Sequence, residues 1–231
     1  MAHFSVLVFT EDDGLSVDEL LDPYYEGNPR APYIIYTKQE AIDYARKTHP
    51  ELKTDEECWE FVAAGYLTDR KGNIYSRDNP DAHWDWWEEG GRFAGLLKLK
   101  GSGERVNSAK IKDVDFSIDE ERYKKALRFW DIVVEHKPLE PGEEEPFSFF
   151  KEEYYREFHG DRETFARRKA GFSTFAVVTS DGIWMEKADI GWFGMSDETP
   201  EKSAAWEDNF ISDFIDGEDE NKRITVVDCH V

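Results

Sequence analysis

The sequence predicts an α+β fold with a mostly antiparallel sheet and helices packed on it. β-branched and aromatic runs open and close the chain, at residues 3–10 and 223–231. Two further runs of this type flank Ser180-Asp181-Gly182, a spacing typical of a β-hairpin. Segments with helical periodicity are grouped between these strands. Strands placed early, in the middle and at the end, with grouped helices, indicate α+β architecture.

The N-terminal part supplies clear signals for single elements. The segment HFSVLVFT is followed by the turn-rich EDDG and predicts a buried opening strand, and YIIY at 33–36 leads to Thr37. Two short strands around Lys71-Gly72, or a tight turn there, are expected. A threonine followed three residues later by glutamate is a capping box, and it predicts the start of a helix in two places. These are Thr37 with Glu40 and Thr54 with Glu57.

The C-terminal part is richer in helix signals. Apolar residues recur at helical spacing from about Asp119 to His136, and the aromatic segment that follows predicts one or two more helices. We therefore expect a helical insertion at about 119–170 within a single domain spanning 1–231. Thr199-Pro200 predicts the start of a last helix, which Gly217 ends.

Composition limits the function. The chain has 231 residues, with 51 acidic against 29 basic residues and a formal net charge of −22. Such a charge repels phosphate and anionic membrane surfaces, so no direct nucleic-acid binding and no membrane association are expected. An acidic surface can also imitate nucleic acid and block a basic protein, although a solvated, solubilising surface is the more ordinary interpretation.

The two cysteines and the N-terminus indicate a cytoplasmic protein. Cys58 and Cys229 are far apart and form neither a disulfide framework nor a zinc-binding spacing. The opening MAHFSVLVF lacks the basic residues of a signal peptide, and its apolar run is too short to span a bilayer.

The segment NPDAHWDWWEEGGRF, residues 79–93, is the first candidate site. Its indoles can stack a planar ring, its arginine can hold a phosphate or carboxylate, and its paired glycines allow close approach of a ligand to the backbone. GWFGM at 191–195 could form the opposite wall. These features suit a small anionic or nucleotide-like ligand, but aromatic packing in a core explains them too. The candidate ligand-binding residues are His83, Trp84, Trp86, Gly90, Gly91, Arg92 and Trp192.

The terminal Asp228-Cys229-His230 is the second candidate site. On a strand, alternation places Asp228 and His230 on one face and Cys229 on the other, which disfavours a nucleophilic Cys-His pair. Asp228 and His230, joined by Asp85 and His3, could form an acid/base group or a metal site. No recognised metal-binding spacing is present, so the metal and any cofactor remain unknown. A polar end to a sheet is the alternative.

Both ends and the centre of the chain resemble a family of uncharacterised bacteriophage and prophage proteins. That family has a central motif similar to N-P-x-x-K-W-D-W-Y-x-x-G-G-R-W and an end similar to V-D-C-H-I. This chain has His83, Trp87 and Phe93 where lysine, tyrosine and tryptophan are usual. The resemblance implies a phage origin and no particular activity.

Three functions follow as hypotheses. The first is a phage-type accessory protein of the host cytoplasm, without enzymatic activity, that binds a small anionic ligand or a host protein, with a possible counter-defence role. The second is a hydrolase or phosphodiesterase, metal-dependent or not, that uses Asp85, Arg92, Asp228 and His230. The third is an acidic nucleic-acid mimic. The sequence leaves open whether the protein is an enzyme.

Overall fold

The computed structural model describes residues 2–190 and 196–231. They form two compact units, one made of the residues up to Asp22 together with Trp84–Val231, and one of Pro23–His83. Helices and strands in mixed sheets confirm the α+β prediction. A single domain spanning 1–231 remains a prediction, and the two units are described separately.

The elements are numbered in chain order. The strands are β1 (His3–Thr10), β2 (Tyr33–Tyr36), β3 (Leu67–Thr68), β4 (Ile74–Ser76), β5 (Trp86–Glu89), β6 (Leu97–Lys98), β7 (Arg105–Val106), β8 (Ser108–Lys110), β9 (Ala176–Val178), β10 (Trp184–Glu186) and β11 (Arg223–His230). The helices are α1 (Val17–Leu21), α2 (Lys38–Thr48), α3 (Asp55–Ala63), α4 (Glu120–Val133), α5 (Glu152–His159), α6 (Arg162–Ala170) and α7 (Pro200–Phe214).

The larger unit is built on a six-stranded sheet in which β1 and β11 occupy the centre. Its order is β10-β9-β1-β11-β5, and β8 also pairs with β11. β1 and β11 pair antiparallel along their whole length, from His3 opposite His230 to Thr10 opposite Arg223. β1 pairs with β9 in parallel, while the other pairings of this sheet are antiparallel. The prediction of a mostly antiparallel sheet is therefore confirmed.

One face of this sheet carries the main core of the larger unit. Leu7 of β1 and Val226 of β11 are directly opposed and fully buried. Phe210 of α7 belongs to the same apolar cluster, and the Trp206 indole N–H donates to the Thr174 carbonyl at 2.7 Å. Thr199 caps α7 and Pro200 begins it, as the sequence predicts. The apolar stripe of α7 therefore covers the middle of the sheet.

The helices expected between 119 and 170 are present as α4, α5 and α6. Trp130 of α4 and Phe165 of α6 are buried together, with ring centroids 5.5 Å apart. Asp131 is buried on α4 and accepts two hydrogen bonds from the Arg162 guanidinium of α6, both at 2.8 Å. Apolar packing and a bidentate ion pair thus join these two helices.

The smaller unit contains α2, α3 and a three-stranded sheet of order β2-β4-β3. The hydroxyls of Thr37 and Thr54 cap α2 and α3, and both capping boxes are complete. Cys58 is buried against the apolar face of α2, and the Trp59 indole N–H donates to the Gly72 carbonyl at 2.8 Å. Among the described residues, no helix is long and apolar enough to cross a membrane.

Candidate functional site

Two histidines meet at one end of the central sheet. His3 opens β1 and His230 closes β11, and the register of these strands places the two residues opposite each other. Directly opposed residues project from the same face, so the two imidazoles are neighbours there. Asp228 lies two residues before His230 and therefore projects from that face as well. The structure therefore has the alternation that the sequence predicts, with Asp228 and His230 on one face of β11 and Cys229 on the other.

His3 forms a hydrogen-bonded pair with Asp228. The distance from His3 Nδ1 to Asp228 Oδ1 is 2.9 Å, and the second oxygen, Oδ2, accepts the backbone N–H of Arg92 at 2.9 Å. Asp228 has 0% of its surface exposed. Because an isolated buried carboxylate is costly, donors to both oxygens are what makes this placement possible. Asp228 is thus held in one orientation.

Gly91 of the central motif approaches this carboxylate closely, whereas its neighbour Gly90 lies against Asn107. Gly91 has φ of +46°, and a Cβ there would lie 2.5 Å from both Cβ and Oδ2 of Asp228. At Gly90, with φ of +72°, a Cβ would lie 2.5 Å from the Asn107 amide. Only glycine allows this approach. The Gly90 N–H already donates to the Val226 carbonyl at 2.9 Å, so it is not directed to a ligand.

His230 has its own carboxylate. Its Nδ1 lies 2.6 Å from Oδ1 of Asp85, and the Asp85 backbone N–H donates to the His230 carbonyl at 3.0 Å. Asp85 is only partly buried, so this pair is nearer to solvent than the pair of His3 and Asp228. The fixed backbone contact keeps the carboxylate in reach of the ring.

The two pairs form one compact group, which we call the His–Asp centre: His3, Asp85, Asp228 and His230. The centroids of the two imidazoles are 5.0 Å apart, with the rings edge to face. In each ring the carboxylate contacts Nδ1, and an ionised carboxylate there fixes the proton on Nδ1. Nε2 of each ring is then the nitrogen that can exchange a proton with a bound molecule.

Comparisons with protein-family models, with curated proteins and with solved structures found no match. The geometry of the chain itself is therefore the basis for assigning a function.

A cavity of about 320 Å³ adjoins His3. Aromatic rings and the hydroxyl of Ser5 form part of its lining, and the Ser5 Oγ accepts the Phe175 N–H at 3.1 Å. Two lysines also line it. Lys187 is paired with Glu198 at 2.8 Å, whereas Lys169 is exposed and has no ion pair within the described ranges. The lining residues are His3, Phe4, Ser5, Phe93, Lys169, Ser173, Thr174, Phe175, Lys187 and Trp206.

Trp86 lies beside the His–Asp centre. It pairs with His230 across β5 and β11, and its ring centroid is 6.1 Å from that of His3. With 46% of its surface exposed, this indole is reachable from solvent. Of the described tryptophans considered as a ligand wall, Trp84 and Trp86, the structure brings Trp86 to the histidines.

The remaining candidate ligand residues have different surroundings. Trp84 packs into the interior of the larger unit and is buried. Its indole N–H donates to the Leu21 carbonyl at 3.2 Å. His83 belongs to the smaller unit, where its ring is 5.6 Å from that of Tyr24. Arg92 joins the site through its backbone N–H, and its side chain is exposed. Trp192 lies outside the described residues.

Separate carboxylates contact the two imidazoles of the His–Asp centre. Within residues 2–190 and 196–231, no three His, Cys, Asp or Glu side chains converge as metal ligands would. Each imidazole has a separate carboxylate. Cys229 is fully buried on the opposite face, and burial raises the pKa of its thiol, so it is not a nucleophile for this centre.

Sequence reasoning missed the two lysines near His3. Lys169 lies in the basic end of α6, and Lys187 follows β10. Neither belongs to a motif, so no signal in the sequence connects them with residue 3. The hydroxyl of Ser5 was missed for the same reason.

Proposed function

We propose that the His–Asp centre is the active site of a hydrolase that acts on a small phosphoester, with a nucleotide-like phosphodiester as the substrate class. The observation that carries the proposal is the pair of adjacent imidazoles, each oriented by its own carboxylate. Two oriented histidines can supply the general base and the general acid that phosphoester hydrolysis requires. The His3 imidazole is held by a buried aspartate, and Gly91 allows the backbone to approach that aspartate closely.

In this mechanism His3 is the general base and His230 the general acid. Asp228 is fully buried, so its charge stabilises the imidazolium that forms when His3 takes a proton from the attacking water. The water oxygen forms a bond to phosphorus while the bond to the leaving oxygen breaks. His230, protonated beforehand, gives its proton to that oxygen, and Asp85 holds the ring in position.

The surroundings of His3 support an anionic substrate. Lys169 and Lys187 line the adjoining cavity, in a chain whose net charge is −22. Lys187 is paired with Glu198 and Glu207, so of these two lysines it is Lys169 that would attract a phosphate-bearing molecule that the rest of the surface repels. In this proposal the protein acts in the host cytoplasm, where hydrolysis of a nucleotide would suit a counter-defence role.

The test is hydrolysis of bis(4-nitrophenyl) phosphate and of a panel of cyclic and linear dinucleotides. We expect His3→Asn and His230→Asn each to lower kcat/KM by about 10²–10⁴-fold, the usual contribution of general acid–base catalysis. His136→Asn is the matched control, because His136 also contacts a carboxylate, that of Glu152 at 2.6 Å, at another place. Equal activity in all three variants would reject the proposal.

Ligand binding without turnover is the second candidate function. It is supported by the exposed indole of Trp86 beside the His–Asp centre, since such a ring can stack a base. A nucleotide that binds the folded state raises Tm by mass action. Trp86→Ala should abolish that rise and Tyr66→Ala, at an exposed aromatic residue of the other unit, should preserve it. Stabilisation without hydrolysis would favour this candidate.

A further inference from the structure

A groove of about 650 Å³ lies among the helices of the 119–170 region. Its walls come from α4, α5 and α6 and from the segment between α4 and α5. They combine aromatic with charged side chains, and none of the residues of the His–Asp centre takes part. The charged lining residues are Lys125, Arg128, Glu143, Glu144 and Lys169. The aromatic lining residues are Phe129, Phe147, Phe149, Phe150, Tyr154, Tyr155 and Phe165.

The segment 146–150 leaves its phenylalanines on the surface. Phe147 has 75% and Phe149 has 85% of its surface exposed, and the two rings contact each other edge to face at 4.6 Å. Phe150 stacks on Tyr154 with ring centroids 4.0 Å apart and planes 18° apart. A group of exposed aromatic side chains next to one another is more typical of a binding surface than of a solvated loop. Their ring geometry shows that this wall already stacks flat groups.

A polar atom at this groove lacks a partner. His159, the last residue of α5, lines the groove, and its Nδ1 is buried without a hydrogen bond among the described residues. A buried nitrogen without a hydrogen bond destabilises the folded state. Burial, assisted by Lys169 and Arg168, lowers the pKa of His159 to about 4, so the ring is neutral at pH 7. Nδ1 can then form one neutral hydrogen bond with a group that enters the groove.

We propose that this groove binds a flat aromatic molecule that carries one hydroxyl or similar hydrogen-bonding group, directed at Nδ1 of His159. The volume lies in the range of about 300–1,000 Å³ that small-molecule sites occupy. Among the described lining residues, the buried polar atom without a partner is Nδ1 of His159, which suits a ring with a single polar substituent. A peptide segment would bring several backbone N–H and C=O groups that need partners of their own. The site is independent of the His–Asp centre and of its proposed activity.

Two probes that differ by one hydroxyl, 2-naphthol and naphthalene, test the proposal by fluorescence titration of the whole chain. We expect the unchanged protein to bind both, and 2-naphthol about threefold to tenfold more tightly, as one net hydrogen bond predicts. His159→Phe retains an aromatic ring and removes Nδ1. It should therefore equalise the two dissociation constants and leave that of naphthalene within about twofold.

Phe149→Ala should weaken both probes equally, by about threefold or more, because it removes apolar contact and no hydrogen bond. Phe61→Ala is the control, since Phe61 is exposed to a similar degree as Phe150 but lies in the other unit. Circular dichroism verifies that each variant is folded.

Three results would overturn the proposal. The first is no binding of either probe at its solubility limit. The second is equal affinity for both probes in the unchanged protein, a comparison that needs no variant. The third is concentration-dependent dimerisation that Phe149→Ala abolishes, because the aromatic face would then be covered by a second copy of the chain.

Discussion

Gly91 and Asp228 are in closer contact than a side chain at position 91 would allow. We predict that Gly91→Ala lowers the free energy of unfolding by about 2–4 kcal/mol, from backbone strain together with displacement of Asp228. Gly101→Ala separates the two effects, because Gly101 has a similar positive φ of +77° and no atom within 4 Å of its missing Cβ. Its cost should be about 1 kcal/mol. Urea unfolding measures both, and equal costs would contradict the close contact.

At the residue scale, the sequence predicted which side chains share a face better than it predicted their hydrogen-bond partners. Alternation along a terminal strand was enough to place Asp228 and His230 on one face. The pairing of His3 with Asp228 instead depends on the register between β1 and β11, which joins the two ends of the chain. The role of Trp84 was undetermined for a similar reason, because burial depends on which element covers a residue. Interactions between residues over 200 positions apart leave no local pattern.

Among the helices, Asp131 connects α4 to α6. Hydrogen bonds from Arg162, followed by those from Lys137, lower its pKa from 3.8 to about 2. Since the folded-state pKa is below the unfolded value, the stabilisation is complete above about pH 4 and is lost as the pH falls toward 2. It amounts to about 2 kcal/mol.

Asp131→Asn should therefore reduce stability at pH 7 and much less at pH 2.5, as measured by urea unfolding at both values. Asp208→Asn removes an exposed partner of Arg168 and is the comparison, with an expected loss of about 0.5 kcal/mol or less. An Asp131→Asn effect that does not change with pH would contradict the ion-pair account.

The second pH-dependent helix residue is His159. Its pKa is lowered from 6.5 to about 4, first by burial and then by Lys169, Arg168 and Lys187, with Glu198 opposing them. The unfolded chain binds a proton more readily, so stability falls as the pH drops from about 6.5 to about 4, by at most about 3 kcal/mol. His159→Phe should remove this part of the pH dependence in thermal unfolding. An unchanged slope would show that His159 is not buried in the neutral form.

Local signals predicted the elements well, and their pairing less well. The capping boxes, the Thr199-Pro200 helix start and the hairpin around Ser180-Asp181-Gly182 are all short-range features, and all are present. The parallel pairing of β1 with β9 was not foreseen, because no connection near either strand encodes it. The same limit applies to the groove at His159, which three helices and a loop assemble.

For the whole molecule, a net charge of −22 has a consequence for stability. Like charges repel more strongly in the compact state than in the unfolded chain. Salt screens this repulsion, and at 0.1 M charges more than about 10 Å apart, the Debye length, are largely screened. We predict that Tm rises by several degrees between about 10 and 150 mM NaCl. Calorimetry at the two concentrations measures the shift. A falling Tm would mean that ion pairs outweigh the repulsion.

The same charge predicts no binding of double-stranded DNA at about 150 mM salt, and gel-shift titration measures it. If the acidic surface instead blocks a basic protein, binding to that partner should weaken steeply with salt and respond to several surface carboxylates. Substitution of the His–Asp centre would not affect such binding. Retarded DNA would contradict the electrostatic account.

The pH dependence of kcat/KM for phosphodiester hydrolysis tests the central claim most directly. An oriented base and an oriented acid in one site predict a bell-shaped profile for the unchanged protein. His3→Asn should remove the acidic limb, on which the rate rises as the general base loses its proton. His230→Asn should remove the basic limb, on which the rate falls as the general acid loses its proton. A profile without limbs, or one that either substitution leaves intact, would contradict an acid–base site built from these two histidines.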